Sequence, residues 1–125
     1  MSRHDDSHFS PAAPIAKVTL RSPKSNASLT DVPILIDSGA DVTLLPQASV
    51  DFLGIEASAD EAYQLAGFDG SISISQAVHV DLIFGRQTFK GRFLLIEQAW
   101  GILGRDVLNH LCLLLDGPQQ VWEER

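Results

Sequence analysis

The residues best suited to chemistry lie in one stretch, V-P-I-L-I-D-S-G-A-D-V-T-L-L-P, residues 32–46. Asp37 follows an apolar run typical of a buried strand, and after it come the hydroxyl residue Ser38 and then Gly39, which permits close backbone approach. A carboxylate at the end of a buried strand can serve as a general acid or base. Asp-Ser-Gly is also a common turn composition, so the tripeptide alone does not separate a catalytic loop from an ordinary turn. A second stretch, W-G-I-L-G-R-D-V-L at residues 100–108, sets two apolar residues between glycines and runs into a short helical pattern. The remaining nucleophiles and metal ligands are isolated. Cys112 is the one cysteine and is expected to pack as a small hydrophobe among leucines. His4 and His8 sit in a polar tail, and His79 and His110 have no partners at ligand spacing, so no metal is expected.

The elements that must position Asp37 read as mostly β. Ala16–Leu20, Val32–Ile36, Ala77–Phe84, Thr88–Ile96 and Leu111–Leu115 are short and rich in Val, Ile, Leu and Phe. Turns are expected at Asn26, at Asp69-Gly70, at Gly85-Arg86 and at Asp116-Gly117-Pro118. Residues 46–53 and 105–111 depart from the β pattern and suit short helices, the second starting just after Gly104. Residues 1–14 combine His, Pro, Asp and Ser, offer little to a core, and are expected to form a flexible leader to a single domain spanning 15–125.

Composition narrows the function further. The chain has 125 residues, 45% of them hydrophobic, which suits one domain with its own core. Nine basic residues stand against 16 acidic ones, a formal charge of −7, and no Lys/Arg cluster occurs. Affinity for phosphates needs concentrated positive charge, so neither a nucleic acid nor an anionic membrane surface is expected as partner. The longest purely apolar run, Leu111–Leu115, is too short for a membrane-spanning helix, and the polar N-terminus lacks the features of a secretory signal, so a cytoplasmic location is expected.

Taken together, hydrophobic-Asp-Ser-Gly-Ala followed by Ile-Leu-Gly-Arg-Asp resembles the retroviral-type (retropepsin-like) single-domain aspartic proteases, in which the apolar-apolar-Gly segment crosses behind the catalytic loop. The resemblance covers roughly Ala16 to Glu123. It implies an all-β, closed barrel-like fold with a flap hairpin and one short C-terminal helix, working as a homodimer. Asp37 then matches the catalytic carboxylate, Ser38 the hydroxyl that braces the catalytic loop, and Gly39 the backbone that approaches substrate. Asp41 and Arg105 match a salt bridge that joins this loop to the C-terminal helix, with Gly104 in support. Asp106 falls where many retroviral enzymes carry Asn, a change expected to affect none of these roles. Gly67, Phe68, Asp69 and Gly70 fall at the flap, and Gly39, Ala40, Asp41, Val42 and Ile102 complete the expected substrate-binding surface, whose apolar walls favour apolar residues beside the scissile bond.

The resemblance also implies an aspartic endopeptidase that cuts extended polypeptide and needs no metal or organic cofactor. Acid-base hydrolysis of a peptide bond needs two carboxylates, and the chain has one Asp-Ser-Gly, so Asp37 of two chains must meet across a two-fold axis. The alternative is a catalytically silent module of the same fold that dimerises or binds peptides. Residues 111–125 read as a terminal hairpin, closer to cellular and bacterial stand-alone members than to the shortest viral enzymes. Its last strand, carrying Val121 and Trp122, is expected either to pair across the two-fold axis or to lie at an intramolecular sheet edge.

Overall fold

The computed structural model describes residues 1–56, 58–66 and 72–125, with 58–66 and 72–75 described through their backbone. In chain order the elements are β1 (Ser2–Arg3), β2 (Ile15–Arg21), β3 (Ser28–Ile36), β4 (Leu44–Pro46), α1 (Gln47–Phe52), β5 (Ser58–Ala66), β6 (Ile72–Phe84), β7 (Gln87–Ile96), β8 (Gly101–Leu103), α2 (Arg105–Leu108), β9 (Leu113–Asp116) and β10 (Val121–Glu124). The mostly β reading is correct, and both short helices form where the pattern changes.

Alternation builds the strands. Ala16, Val18 and Leu20 of β2, Val32, Ile34 and Ile36 of β3, and Val78, Val80, Leu82 and Phe84 of β6 are buried at every second position. The main sheet runs β2-β3-β8-β4-β7-β6-β5, and an additional β2–β6 pairing closes its first six strands into a barrel. Leu20, Ile34, Leu45, Leu82 and Leu103 are wholly buried in the core. At the closing seam Arg21 lies directly opposite Asp81, and its Nε and Nη2 both stand 3.1 Å from Asp81 Oδ2. Asp81 is 6% exposed, so the guanidinium supplies the partner that a buried charge requires.

Two short apolar segments were not read from the sequence as strands. β4 and β8 are three residues each, too short to show a period, and tertiary pairing defines them. β8 runs parallel to β3, with Ile36 beside Leu103, and antiparallel to β4, with Leu44 beside Ile102. Two glycines make that insertion possible. A Cβ on Gly101 would lie 2.5 Å from the Leu44 carbonyl oxygen, and one on Gly104 would lie 2.5 Å from the Val42 carbonyl carbon and oxygen.

A second, three-stranded sheet, β1-β10-β9, caps the barrel. Its anchor is Trp122, 8% exposed, whose ring packs against Phe84 at 5.8 Å and whose Nε1 donates to the Ile15 carbonyl at 3.3 Å. The terminal hairpin expected at residues 111–125 forms, with Trp122 opposite Leu115.

Residues 1–14, expected as a flexible leader, make specific contacts along the domain. β1 pairs with β10, Asp5 bridges to Ala13, and the Phe9 ring stands edge-on to Trp100 at 4.9 Å. Asp5 organises the turn by accepting from the Ser7 hydroxyl and from the backbone N–H groups of Ser7 and His8. The Ser7 hydroxyl foremost, and then the His8 side chain, hold the Asp5 carboxyl well below its ordinary range. The turn's contribution is therefore complete above the unfolded carboxyl's pKa and declines as pH falls from there toward the depressed folded value. Composition concealed these contacts because they are backbone pairings, a polar turn and ring contacts of His8 and Phe9 with Trp100, not core burial. Cys112 also differs from expectation: it is exposed, since it precedes the edge strand β9 instead of entering the core.

Among the described residues no helix is long and apolar enough to cross a membrane, and no group of three or more His, Cys, Asp or Glu side chains is placed to hold a metal ion. Because Trp122 is buried in the core, where Leu113 of the same small sheet packs only partly buried, Trp122→Ala is expected to lower the unfolding free energy by about 3 kcal/mol. Urea denaturation followed by far-UV circular dichroism measures this.

Candidate active site

Asp37 sits where β3 ends, half-buried. Its N–H donates to the Leu103 carbonyl at 3.1 Å, so the last residue of β8 fixes the point at which the chain leaves the sheet. The chain then turns tightly, with the Ala40 N–H donating to the Asp37 carbonyl at 3.1 Å. The Gly39 N–H donates to Asp37 Oδ1 at 2.9 Å, which orients the carboxylate from its own loop. A Cβ on Gly39 would stand 3.2 Å from the same oxygen, closer than side chains usually tolerate.

The far side of the loop is held by the start of α2. The Arg105 N–H donates to the Ala40 carbonyl at 2.9 Å, and Arg105 Nη1 donates to the Ser38 carbonyl at 2.8 Å. Arg105 Nη2 forms an ion pair with Asp41 Oδ1. Both charges are largely solvent-exposed, so the pair contributes little to stability, and its consequence is geometric: one guanidinium ties together two points of the loop.

Beneath the loop lies a polar network that sequence reasoning missed. Thr43 is fully buried. Its N–H donates to Asp106 Oδ2 at 3.1 Å and its hydroxyl donates to Asp106 Oδ1 at 2.7 Å. The same hydroxyl accepts from the Gly104 N–H at 3.0 Å, and Asp106 Oδ1 also accepts from the Val107 N–H at 2.9 Å. Asp106, expected to affect none of the site roles, thus joins Thr43, just before β4, to the first turn of α2. A carboxylate suits the place because every group facing it is a donor, whereas an amide would turn its NH2 toward one of them. The available signal was Thr43 itself, a hydroxyl within an apolar run that had to find a hydrogen-bond partner.

The structure therefore gathers Asp37, Ser38, Gly39, Ala40, Asp41, Gly104 and Arg105 at one crossing. Val42 stands next to it, 36% exposed, and helps to line a cavity of about 160 Å³ with Thr43, Ala77, Phe93 and Leu94. Ile102 is set apart in the middle of β8, half-buried between Leu35 and Leu44. Gly67, Phe68, Asp69 and Gly70 lie outside the described residues. The backbones of β5 and β6 pair antiparallel up to Ala66 opposite Ile72, which brackets them.

The family model for the retroviral aspartyl protease matches residues 12–116, through the end of β9. The chain belongs to that family. Among solved structures, this protease chain is similar to the EIAV protease complexed with the inhibitor HBY-793, at 25% identity and a TM-score of 0.59 over 78% of this chain and 86% of that one. A search among curated proteins returns no match. Family and fold together make the chain a retropepsin-like domain and support a peptidase function in general terms.

The buried network gives the protease a testable dependence. Thr43→Val removes the hydroxyl that serves both Gly104 and Asp106, and is expected to cost about 1–3 kcal/mol because a buried N–H loses its acceptor. Thr43→Ser, which restores the hydroxyl, is expected to recover most of that loss in parallel chemical denaturation.

Proposed function

We propose that the protein is an aspartic endopeptidase that hydrolyses peptide bonds in extended polypeptide as a homodimer. The observation that carries this reading is the single Asp37 carboxylate, oriented by the Gly39 N–H at the crossing of β3 and β8 in a retroviral-protease domain. Each chain offers one such carboxylate, so a complete acid-base pair takes Asp37 from two copies.

In that pair one Asp37 is ionised and the other protonated, because two carboxylates about 3 Å apart do not both ionise readily. Water lies between them. The ionised Asp37 takes a proton from the water as its oxygen attacks the peptide carbonyl carbon, and the protonated Asp37 gives its proton to the carbonyl oxygen, yielding a tetrahedral diol. Collapse of the diol breaks the C–N bond: one hydroxyl proton returns to a carboxylate and the leaving nitrogen takes the other carboxyl's proton. No metal is needed, since the proton transfers supply the charge compensation.

Extended substrate would lie against Gly39 and under the β5–β6 hairpin, with Gly67, Phe68, Asp69 and Gly70 acting as the flap. Ala40, Val42 and Ile102 would form apolar walls, and the cavity beside Val42 adds Ala77, Phe93 and Leu94 to them, with Arg92 and Asp106 as its charged lining. Asp41 and Arg105 would hold the loop, and Ser38 would brace it.

Asp37→Asn is expected to abolish cleavage of a denatured, fluorescently labelled protein while leaving fold and dimer intact. Wild-type activity is expected to rise faster than linearly with protein concentration and to peak in mildly acidic solution, falling on both sides because the pair must carry one shared proton. Cleavage by Asp37→Asn would overturn the mechanism. A stable dimer without hydrolysis at any pH would point instead to a silent peptide-binding module.

A further inference from the structure

The segment that holds the Asp37 loop is itself lightly held where it begins. β8 is entered from residues 97–100, and among the described residues none of these four makes a hydrogen bond. The first residue of β8 is Gly101, which has no side chain to pack and more backbone freedom than any other residue type. The one large group at this entry is the half-buried ring of Trp100. Two side chains of the N-terminal segment meet it. Phe9 stands edge-on, with ring centroids 4.9 Å apart and an interplanar angle of 61°, and the His8 ring lies 6.5 Å away.

Phe9 is presented by an anchored loop. Residues 5–13 are closed at their base by the Asp5–Ala13 bridge, in which the Asp5 N–H donates to the Ala13 carbonyl at 2.7 Å and the Ala13 N–H to the Asp5 carbonyl at 3.0 Å. Before the loop, the His4 N–H donates to the Gln120 carbonyl at 2.8 Å; after it, the Pro14 carbonyl accepts from the Ile36 N–H at 3.0 Å, one residue ahead of Asp37. Within the loop the Asp5 carboxylate accepts from the Ser7 hydroxyl and from the Ser7 and His8 N–H groups, and His8 Nδ1 stands 3.0 Å from it. A side chain carried on so constrained a loop loses little further entropy in meeting Trp100. The Ser7 hydroxyl, and then His8, hold the Asp5 carboxyl below its ordinary range, so the turn is assembled in the mildly acidic solution proposed for catalysis.

We propose that Phe9 is a positioning residue for the Asp37 loop, acting through Trp100 on the entry of β8, an inference that rests on the peptidase reading above. The route is short and continuous. Trp100 leads into Gly101, which lies beside Ile34, and β8 then follows β3 in register to Leu103 beside Ile36. The Leu103 carbonyl accepts from the Asp37 N–H, and two residues later the Arg105 N–H donates to the Ala40 carbonyl. Releasing Trp100 frees residues 97–101, and any shift of β8 along β3 carries with it the acceptor that fixes Asp37. The effect falls on the alignment of the carboxylate, so it acts on turnover more than on substrate affinity.

Steady-state kinetics and backbone amide NMR of the full chain test this. At protein concentrations that saturate dimer formation, Phe9→Ala is expected to lower kcat about tenfold with KM within about twofold of wild type. Phe9→Tyr keeps the ring and is expected to restore kcat. In Phe9→Ala the amide resonances of Asp37, Gly39 and Arg105 are expected to shift or broaden, while those of Val80 and Leu82 in β6 stay in place. Lower stability alone would leave the resonances of the folded state where they are. Asp5→Ala, which dismantles the turn at a different residue, is expected to reproduce both effects, with Trp122 near-UV dichroism confirming that each variant is folded.

Unmoved resonances at Asp37, Gly39 and Arg105, an unchanged kcat in Phe9→Ala, or a loss that Phe9→Tyr fails to restore would overturn the proposal. The resonances do not depend on hydrolysis. An active protein indifferent to Phe9→Ala and Asp5→Ala would sink this contact and leave the peptidase standing, and a loop that responds in a protein that cuts nothing would do the reverse.

Discussion

The insertion of β8 between β3 and β4 is the constraint on which the rest of the structure depends. Three residues, Gly101–Leu103, bridge two strands that come from much earlier in the chain. They fit because the glycines at either end leave no side chain where the backbones of Leu44 and Val42 pass. Close approach brings the Leu103 carbonyl to the Asp37 N–H, sets Gly104 against the Thr43 hydroxyl, and aims Arg105 at the loop. The Asp37 loop is thus held from one continuous segment, residues 103–105, which spans the end of β8 and the start of α2.

The stiffness of the loop has a second source in the Thr43–Asp106 network. The polar groups of the fully buried Thr43 must find partners, and here its N–H and hydroxyl, with the Val107 N–H, donate to the Asp106 carboxylate at the surface. Such a network tolerates few rearrangements, so the loop reaches its geometry before any substrate arrives, which suits acid-base catalysis that depends on precise placement. The exposed Arg105–Asp41 pair differs in kind. It adds little energy and limits where the loop can go.

Much of this was legible in the sequence. The alternation in β2, β3 and β6 and the apolar run of β7 gave the β class directly, and the two motifs around Asp37 and Arg105 carried the family resemblance. Two things were hidden. β4 and β8 are too short for any period, so only their partners define them. The role of Asp106 depended on Thr43, sixty-three positions away, a pairing that no local pattern encodes. Cys112 misled because a leucine-rich context normally signals a core, whereas here those leucines lie along a sheet edge. The N-terminal segment misled for the opposite reason, since a polar composition does not forbid backbone pairing.

The order of these elements along the chain also sets a timetable. Asp37 is synthesised early, but the carbonyl that fixes its backbone, the glycine that receives Val42 and the guanidinium that spans the loop all belong to residues 103–105. A nascent chain that has not yet delivered β8 to the barrel carries the Asp37 carboxylate on an unsupported strand end. The geometry of the candidate site is thereby deferred until this later segment closes onto the loop, so the shape around Asp37 is acquired from the tertiary fold and not from the local sequence.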